Sequence, residues 1–409
     1  MNPRDLGSAE LAPPTRVLHA PLWLLVIATA VNPFTLQLFT PVLPTLGATF
    51  GVTDTTAQLT LTLYLAGVAI GQLVHGPLAD RYGRRPVLLI ALGAFVAAGM
   101  LGLFATNIGL LLAARFAMAV SGCAGMVLSR AIIRDTHPRD QAASALGYLI
   151  AGMAVAPMVA PAVGGLLVQI ADWRILMGLP AALGAFVLLA VLWRLPETLP
   201  APQPLPSPVG MVLAYVSLLR VPAFAAYAAV FALSTTIFFA FMGGAPYVVM
   251  TGLGLSPVVY GLSFASVSVT FILGNIAAGR LSPRLGGERM LWLGTIICVL
   301  GSITAWLAIT FLPPSLWDLF GPMAVVAFGN GLSQPNAMSG VVSARPQVAA
   351  TASGLAGFLQ MALGAFATVV VGALETGSGH ATAGAMTITG LLCIGALFAV
   401  RRLKQADRA

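Results

Sequence analysis

Apolar runs of about 20 residues follow one another along almost the whole chain, and they leave it very few folds. In hydrocarbon every backbone N–H and C=O must find a partner within the protein, which long helices achieve by themselves. Charged residues make up only 8% of the 409 residues and hydrophobic residues 58%, whereas ordinary globular domains are about a quarter charged. The sequence therefore predicts an all-α integral membrane protein. Its 44 glycines fit that class, because helices packing in lipid place small residues at their interfaces.

Twelve spans are expected, at roughly 20–44, 58–79, 86–106, 109–131, 142–167, 173–194, 222–249, 257–281, 288–311, 316–341, 350–374 and 380–400. The first is expected to end at Pro41 and Pro44, with Asp54 as the N-cap of the second. The net charge of +8 comes from arginines in the short connections. If the N-terminus is cytoplasmic, nearly all of them fall on the cytoplasmic side; only Arg174 lies in an outer loop and only Arg115 well inside a span. That asymmetry orients the chain with both termini inside a bacterial inner membrane and removes any need to invoke nucleic acid. The tails are 1–19 and 401–409, and the first apolar run reads as a retained helix, since no small-residue cleavage site follows it. Residues 195–221 hold Pro196, Pro200, Pro202, Pro204, Pro206 and Pro208 and are expected to form an extended linker between the halves 20–194 and 222–400. Cys123, Cys298 and Cys393 read as small buried hydrophobes, and the four histidines are scattered, so no metal site is expected.

Between spans two and three the chain concentrates its charge. Gly71, Gly76 and Gly83 bracket a segment that ends in Asp80, Arg81, Arg84 and Arg85. The glycines suggest close backbone approach and the charges a water-facing hinge. Gly71, Gly76, Arg81 and Gly83 recur at one constant offset as Gly274, Gly279, Arg284 and Gly286. Ala143-Ser-Ala-Leu146 echoes in Ala352-Ser-Gly-Leu355 at the heads of spans five and eleven. Two echoes in the same order point to a duplicated six-helix unit, an architecture that places a substrate site between its halves.

With these residues in place the sequence resembles the major facilitator superfamily over essentially its whole length. Gly71–Arg85 is similar to that family's loop signature, and Pro157, Pro161, Gly164 and Gly165 in span five resemble its antiporter motif. Leu195-Pro-Glu-Thr-Leu199 is also familiar there, and Pro41-Val-Leu-Pro44 with Arg130-Ala-Ile-Ile-Arg-Asp135 resembles the Bcr/CflA type of drug:proton antiporters. The resemblance implies a twelve-span fold in two pseudo-symmetric halves and alternating access. It also implies a gate in which Asp80 pairs with cytoplasmic arginines, Arg134 included, and with the facing end of span eleven. The second copy of the gate is degenerate, with Pro283 in the place of the acid and Glu288 in that of Arg85.

Two departures bear on mechanism. The Bcr/CflA pattern has an Asp in span one where this chain has Gln37. Gln37 is expected at the depth of Arg115 and in hydrogen-bonding reach of it, which would leave an electropositive cavity that prefers neutral or anionic substrates. None of the twelve acids lies at mid-membrane, so Asp318 and Glu375, at the outer ends of spans ten and eleven, are the nearest proton carriers, with a solvated cap as the plainer reading of both. Further cavity candidates are the polar and aromatic residues that interrupt apolar spans: Asn32, Gln58, Tyr64, Phe238, Phe239, Asn330, Gln334, Asn336 and Gln360. Enzyme motifs such as a phosphate loop or His-Glu-x-x-His are missing from the sequence. The expected function is export of small amphiphilic drugs or drug-like metabolites by proton antiport, by a monomer in lipid without a cofactor. The alternative is movement of one neutral or anionic metabolite without proton coupling through span one.

Overall fold

The computed structural model describes residues 20–136, 139–199, 204, 207–345 and 348–406. The N-terminal tail, His137, Pro200, Pro202, Pro206 and residues 407–409 lie outside the described residues, as do the side chains of Ala143 and Ser144 in the second echo. The described residues are helical apart from short connections. The first crossing is broken into α1 (Leu22–Leu38), a 3₁₀ turn (Thr40–Val42) and α2 (Leu43–Phe50). Then come α3 (Asp54–Tyr82), α4 (Arg84–Leu103), α5 (Ile108–Thr136), α6 (Arg139–Ile170) and α7 (Ile175–Arg194). A short α8 (Pro208–Leu219) leads into α9 (Pro222–Tyr247), which runs on through a π turn (Val248–Gly252). The remainder is α10 (Pro257–Leu285), α11 (Gly287–Phe311), α12 (Trp317–Ala344), α13 (Ala349–Leu374) and α14 (His380–Ala406).

Among the described residues ten of these helices are long and apolar enough to cross a membrane on composition alone, with α1 and α2 counted together. The other two of the twelve are α6, whose apolar stretch is Val155–Ile170, and α12, interrupted by Asn330, Gln334 and Asn336. Both have membrane length, at 32 and 28 residues, and in α12 Asn330 is buried while Gln334 hydrogen-bonds to Ser234 of α9. Large apolar side chains such as Ile90, Phe186 and Phe366 point outward, as a hydrocarbon surround requires and water would penalise.

Three expectations change. The first crossing continues past Pro41 and Pro44 to Phe50 by way of the 3₁₀ turn. The N-cap of α3 is Thr53, whose hydroxyl accepts from the Thr56 N–H, and Asp54 is the first helical residue. The linker is not extended throughout. Ser207 caps α8, Pro208 takes the first helical position where its missing N–H costs nothing, and the next eleven residues hold no proline.

Packing repeats with the sequence. In the first bundle α3 and α4 pack on α5, α4 on α7, and α1 on α5 and α6; in the second, α10 and α11 pack on α12, α11 on α14, and α9 on α12 and α13. The two bundles meet through α3 against α13 and α6 against α10. The glycines explain part of the repeat. A Cβ on Gly71 would stand 2.7 Å from the Cβ of Cys123, and one on Gly274 would run into the carbonyl of Phe328, so both let the second helix of a bundle touch the fourth. Gly83 (φ +100°) and Gly286 (φ +87°) make the matching left-handed turns. Gly76 and Gly279 face open space, so the close approach expected at Gly76 is not made. Accordingly, Gly71→Ala and Gly274→Ala lower the unfolding temperature in detergent, at a cost of about 1–3 kcal/mol each for overpacking. Gly76→Ala and Gly279→Ala leave it unchanged; the comparison is read by a thermal melt of the four purified variants.

Candidate functional site

The site begins with the break in the first crossing. Pro41 and Pro44 carry no N–H, so the carbonyls of Gln37 and Thr40 lose their helical partners. The Thr40 hydroxyl donates to the Gln37 carbonyl (2.8 Å) and the Leu43 N–H to that of Thr40. The Phe39 N–H turns to Gln37, which frees the carbonyl of Thr35. Arg115 of α5 fills that vacancy: its Nη1 donates to the Thr35 oxygen at 3.1 Å. The guanidinium is sandwiched between aromatic rings, 4.5 Å from the centroid of Phe39 and 4.2 Å from that of Tyr64. A cation at a helix C-terminus and over aromatic faces is doubly favoured. Tyr64 donates to the Asn32 carbonyl (3.2 Å) and Asn32 Nδ2 to that of Ala119 (3.2 Å), so Asn32, Tyr64 and Arg115 tie α1, α3 and α5 together. The expected Gln37–Arg115 pair is not made, and Arg115, only 1% exposed, is not among the residues lining the cavity between the bundles. The positive charge expected to shape that cavity therefore does not reach it.

A cavity of about 230 Å³ lies between the bundles. Pro33, Leu36 and Gln37 of α1, Met126 of α5, and Met153 and Pro157 of α6 form one wall. The other is built by Thr235, Phe238 and Phe239 of α9, Phe264 and Phe271 of α10, Asn330 and Gln334 of α12, and Gln360 and Met361 of α13. Every lining side chain is neutral. Phe238 stacks edge-on against both Phe239 and Phe264, at 5.8 and 5.9 Å between centroids. Gln334 donates to Thr235, Ser234 and the Phe231 carbonyl, and Gln360 Nε2 donates to Thr235 (2.7 Å). Of the residues expected here, Gln37, Phe238, Phe239, Asn330, Gln334 and Gln360 are brought together, whereas Asn32, Gln58, Tyr64, Arg115 and Asn336 stand elsewhere. Asn336 lines a separate pocket at the arginine-rich end, with Tyr227, Glu288 and Ser339. The methionines and Phe264, Phe271 and Met361 went unseen because an apolar residue facing a cavity reads like one facing a core. Thr235 had a signal, the hydroxyl run Ser234-Thr235-Thr236 in an apolar span.

At the end remote from the arginines the bundles are closed. Thr62 and Thr368 share a hydrogen bond of 2.8 Å, Thr55 donates to the Gly372 carbonyl (3.4 Å), and Tyr247 donates to that of Asp54 (3.2 Å). The span-five motif contributes directly. Gly164 lets α6 reach the Leu38 carbonyl, Gly165 meets that of Pro257, and Pro161 presents its carbonyl to Gly261. Gln58 is buried in this contact against Gly243 and Gly372, 1% exposed, with neither amide atom hydrogen-bonded. Glu375 is fully engaged: its carboxylate accepts from the N–H groups of Gly377, Gly379 and Thr382 and from the Thr382 hydroxyl. It caps a turn and α14. Asp318 is half-buried in the first turn of α12, with Oδ2 unpartnered.

At the arginine-rich end Arg84 bridges Asp80 and Asp135, the latter through Nε at 3.0 Å. Glu197, from the Leu195–Leu199 segment, accepts from the backbone N–H groups of Arg84 (2.9 Å) and Arg85 (3.1 Å) and so caps α4. A Cβ on Gly83 would stand 2.5 Å from Glu197 Oε2. Arg85 also donates to the Leu192 carbonyl (2.9 Å). Glu197 is thus a member of the cluster that the sequence reading left out. Arg81, Arg134 and Arg284 are exposed. Among the described residues Asp80 is held by Arg84 of its own bundle, and it is Gln72 that meets span eleven, packing where Gly357 lacks a side chain; the side chains at the head of that span, where the contact of Asp80 is expected, lie outside the described residues.

Two pseudo-symmetric helix bundles around a shared cavity define a multi-pass membrane transporter. The chain belongs to the Major Facilitator Superfamily, whose family description matches residues 25–369. It is 30% identical to the uncharacterized MFS-type transporter YdgK of Bacillus subtilis, over 87% of this chain and 89% of that protein. It is 29% identical to Multidrug resistance protein D of Escherichia coli (91% and 93% covered) and 29% to a chloramphenicol resistance protein of Pseudomonas aeruginosa (83% and 80%). Among solved structures it resembles a bacterial homolog of the human lysosomal transporter Spinster in an inward-facing, unoccupied conformation, with TM-score 0.71, 17% identity, and 93% of this chain and 96% of that one covered.

The unpaired amide of Gln58 opposes the closure it lies in, because an unmet buried polar group costs about 1–3 kcal/mol. Gln58→Leu is expected to raise the unfolding temperature and slow transport by holding the remote end shut. A fall in unfolding temperature, measured beside the wild type, would count against this.

Proposed function

We propose that this chain exports small amphiphilic compounds of the drug type, amphenicol-like molecules among them, across a bacterial inner membrane. Both termini lie in the cytoplasm on the arginine asymmetry, and the halves 20–194 and 222–400 rock about the cavity on the linker 195–221. The observation that carries the reading is the cavity itself: both bundles line it, and aromatic and methionine walls surround a few amides. Relatives named for multidrug and chloramphenicol resistance support it. The closed remote end then corresponds to an inward-facing state, and the Asp80–Arg84–Asp135 cluster with Arg81, Arg85 and Arg134 to the cytoplasmic gate.

Proton antiport is the drive we propose, on the span-five motif. Asp318 is the carboxyl left to serve it, because Glu375 is committed to capping. The second reading, a facilitator or exporter of one neutral or anionic metabolite, is favoured by the neutral lining of the cavity. Expression in a host stripped of its own exporters is expected to raise resistance to chloramphenicol, and a protonophore or Asp318→Asn to abolish the gain. Resistance that survives both treatments favours uncoupled flux; unchanged susceptibility to every drug at normal membrane expression rejects drug export.

A further inference from the structure

The polar groups of the cavity divide into two kinds. Gln334 and Gln360 donate their Nε2 hydrogens to Thr235 and its neighbours. Gln37 and Asn330 do not: Gln37 Oε1 and Asn330 Oδ1 are buried with no hydrogen-bond partner, on residues only 2% and 3% exposed. Both line the same cavity, one from each bundle. Local structure fixes them there. Gln37 lies in the last turn of α1, just before the helix break that Arg115 caps. Asn330 stands between Gly329 and Gly331, where α12 presses on α11 at Gly294 and on α10 at Phe271.

We infer that Gln37 and Asn330 are the specificity-determining residues of this cavity, a pair of carbonyl acceptors reaching from opposite halves for a neutral aromatic ligand with at least two O–H or N–H donors. The inference rests on the transporter reading of the cavity. An apolar ligand would leave both oxygens dry, whereas a donor on each side satisfies them. A site built around unmet hydrogen-bonding groups discriminates against analogues that lack the matching group far more strongly than an apolar pocket discriminates by size. A lipophilic cation fares worse still, since no lining residue carries a negative charge and an uncompensated buried charge is costly. The edge-on Phe238, Phe239 and Phe264 group offers the wall for an aryl ring. A ligand bonded to both amides also joins the two bundles, which ties occupancy to their relative position.

The test is equilibrium binding to the purified full chain with three probes. Chloramphenicol is neutral and carries two hydroxyls and an amide N–H; its diacetate has both hydroxyls blocked; tetraphenylphosphonium is a cation without donors. Chloramphenicol is expected to bind at least about tenfold more tightly than either of the others. Gln37→Met and Asn330→Leu, close in shape, should each erase most of that preference by weakening chloramphenicol and not the diacetate. Gln37→Glu keeps an acceptor in place and adds a charge, so it should retain chloramphenicol and gain tetraphenylphosphonium; it decides the matter if Gln37→Met does not fold. Equal binding of chloramphenicol and its diacetate, or a preference untouched by the substitutions, overturns the inference and leaves the exporter reading standing. A wild type that binds none of the three overturns both.

Discussion

No backbone group can go unpaired in hydrocarbon, and the first crossing breaks its helix there all the same. The break is tolerable because each freed carbonyl is met: Thr40 serves Gln37, and Arg115 serves Thr35. This makes Arg115 a structural hub. Its guanidinium sits between rings of α3 and of the broken crossing, and the rest of that knot, Tyr64 and Asn32, joins the same three elements. The position and direction of Gln37 follow from the break, and the inner wall of the cavity follows from Gln37. A charge deep in a span is a functional hypothesis by default. Here its function is to hold a bend, and the site depends on it at one remove.

The duplication is complete in its frame and incomplete in its chemistry. Gly83 and Gly286 turn the chain alike, and Gly71 and Gly274 admit the fourth helix of each bundle alike. In the first copy the turn is filled: Arg84 bridges two carboxylates and Glu197 caps α4. In the second, Gly287 stands where Arg84 would be, and a pocket of about 410 Å³ lies beside it. A charge-assisted network is rigid where it is fully satisfied. The first bundle therefore has a braced arginine-rich end, and the second has room there. If the halves rock as proposed, this difference in bracing makes them move unequally.

The sequence carried the class, the number of crossings and the repeat, because span length, charge depletion and glycine offsets are one-dimensional signals. It also carried the amides at Gln37, Asn330, Gln334 and Gln360, since a polar residue in an apolar run stands out. It did not carry direction around each helix. Asn32, Gln58, Asn336 and Arg115 interrupt their spans just as visibly, yet they face other helices or another pocket. Met126, Met153 and Phe271 do face the cavity and are silent in the sequence. Glu197 was hidden for a different reason: its partners, the N–H groups of Arg84 and Arg85, lie more than a hundred residues away.

The contact between the bundles is of a kind that can open. Within each bundle, glycines bring backbones together over apolar side chains, and in lipid such contacts are not driven apart by anything water offers. Between the bundles at the remote end, the backbone packing of Gly165 on Pro257 and of Gly261 on Pro161 is joined by contacts of hydroxyl to hydroxyl at Thr62 and Thr368, of hydroxyl to carbonyl at Thr55, and by an amide at Gln58 with no partner at all. Each of the polar groups can exchange its protein partner for water at little net cost, because the net worth of a typical intramolecular hydrogen bond is only about 1 kcal/mol. The cavity beneath has no charge to neutralise, so closing it creates no unpaired ion. Beside that backbone packing, the remote end is held shut by a small difference between hydrated and desolvated polar groups, which a ligand bonded to both halves is able to tip.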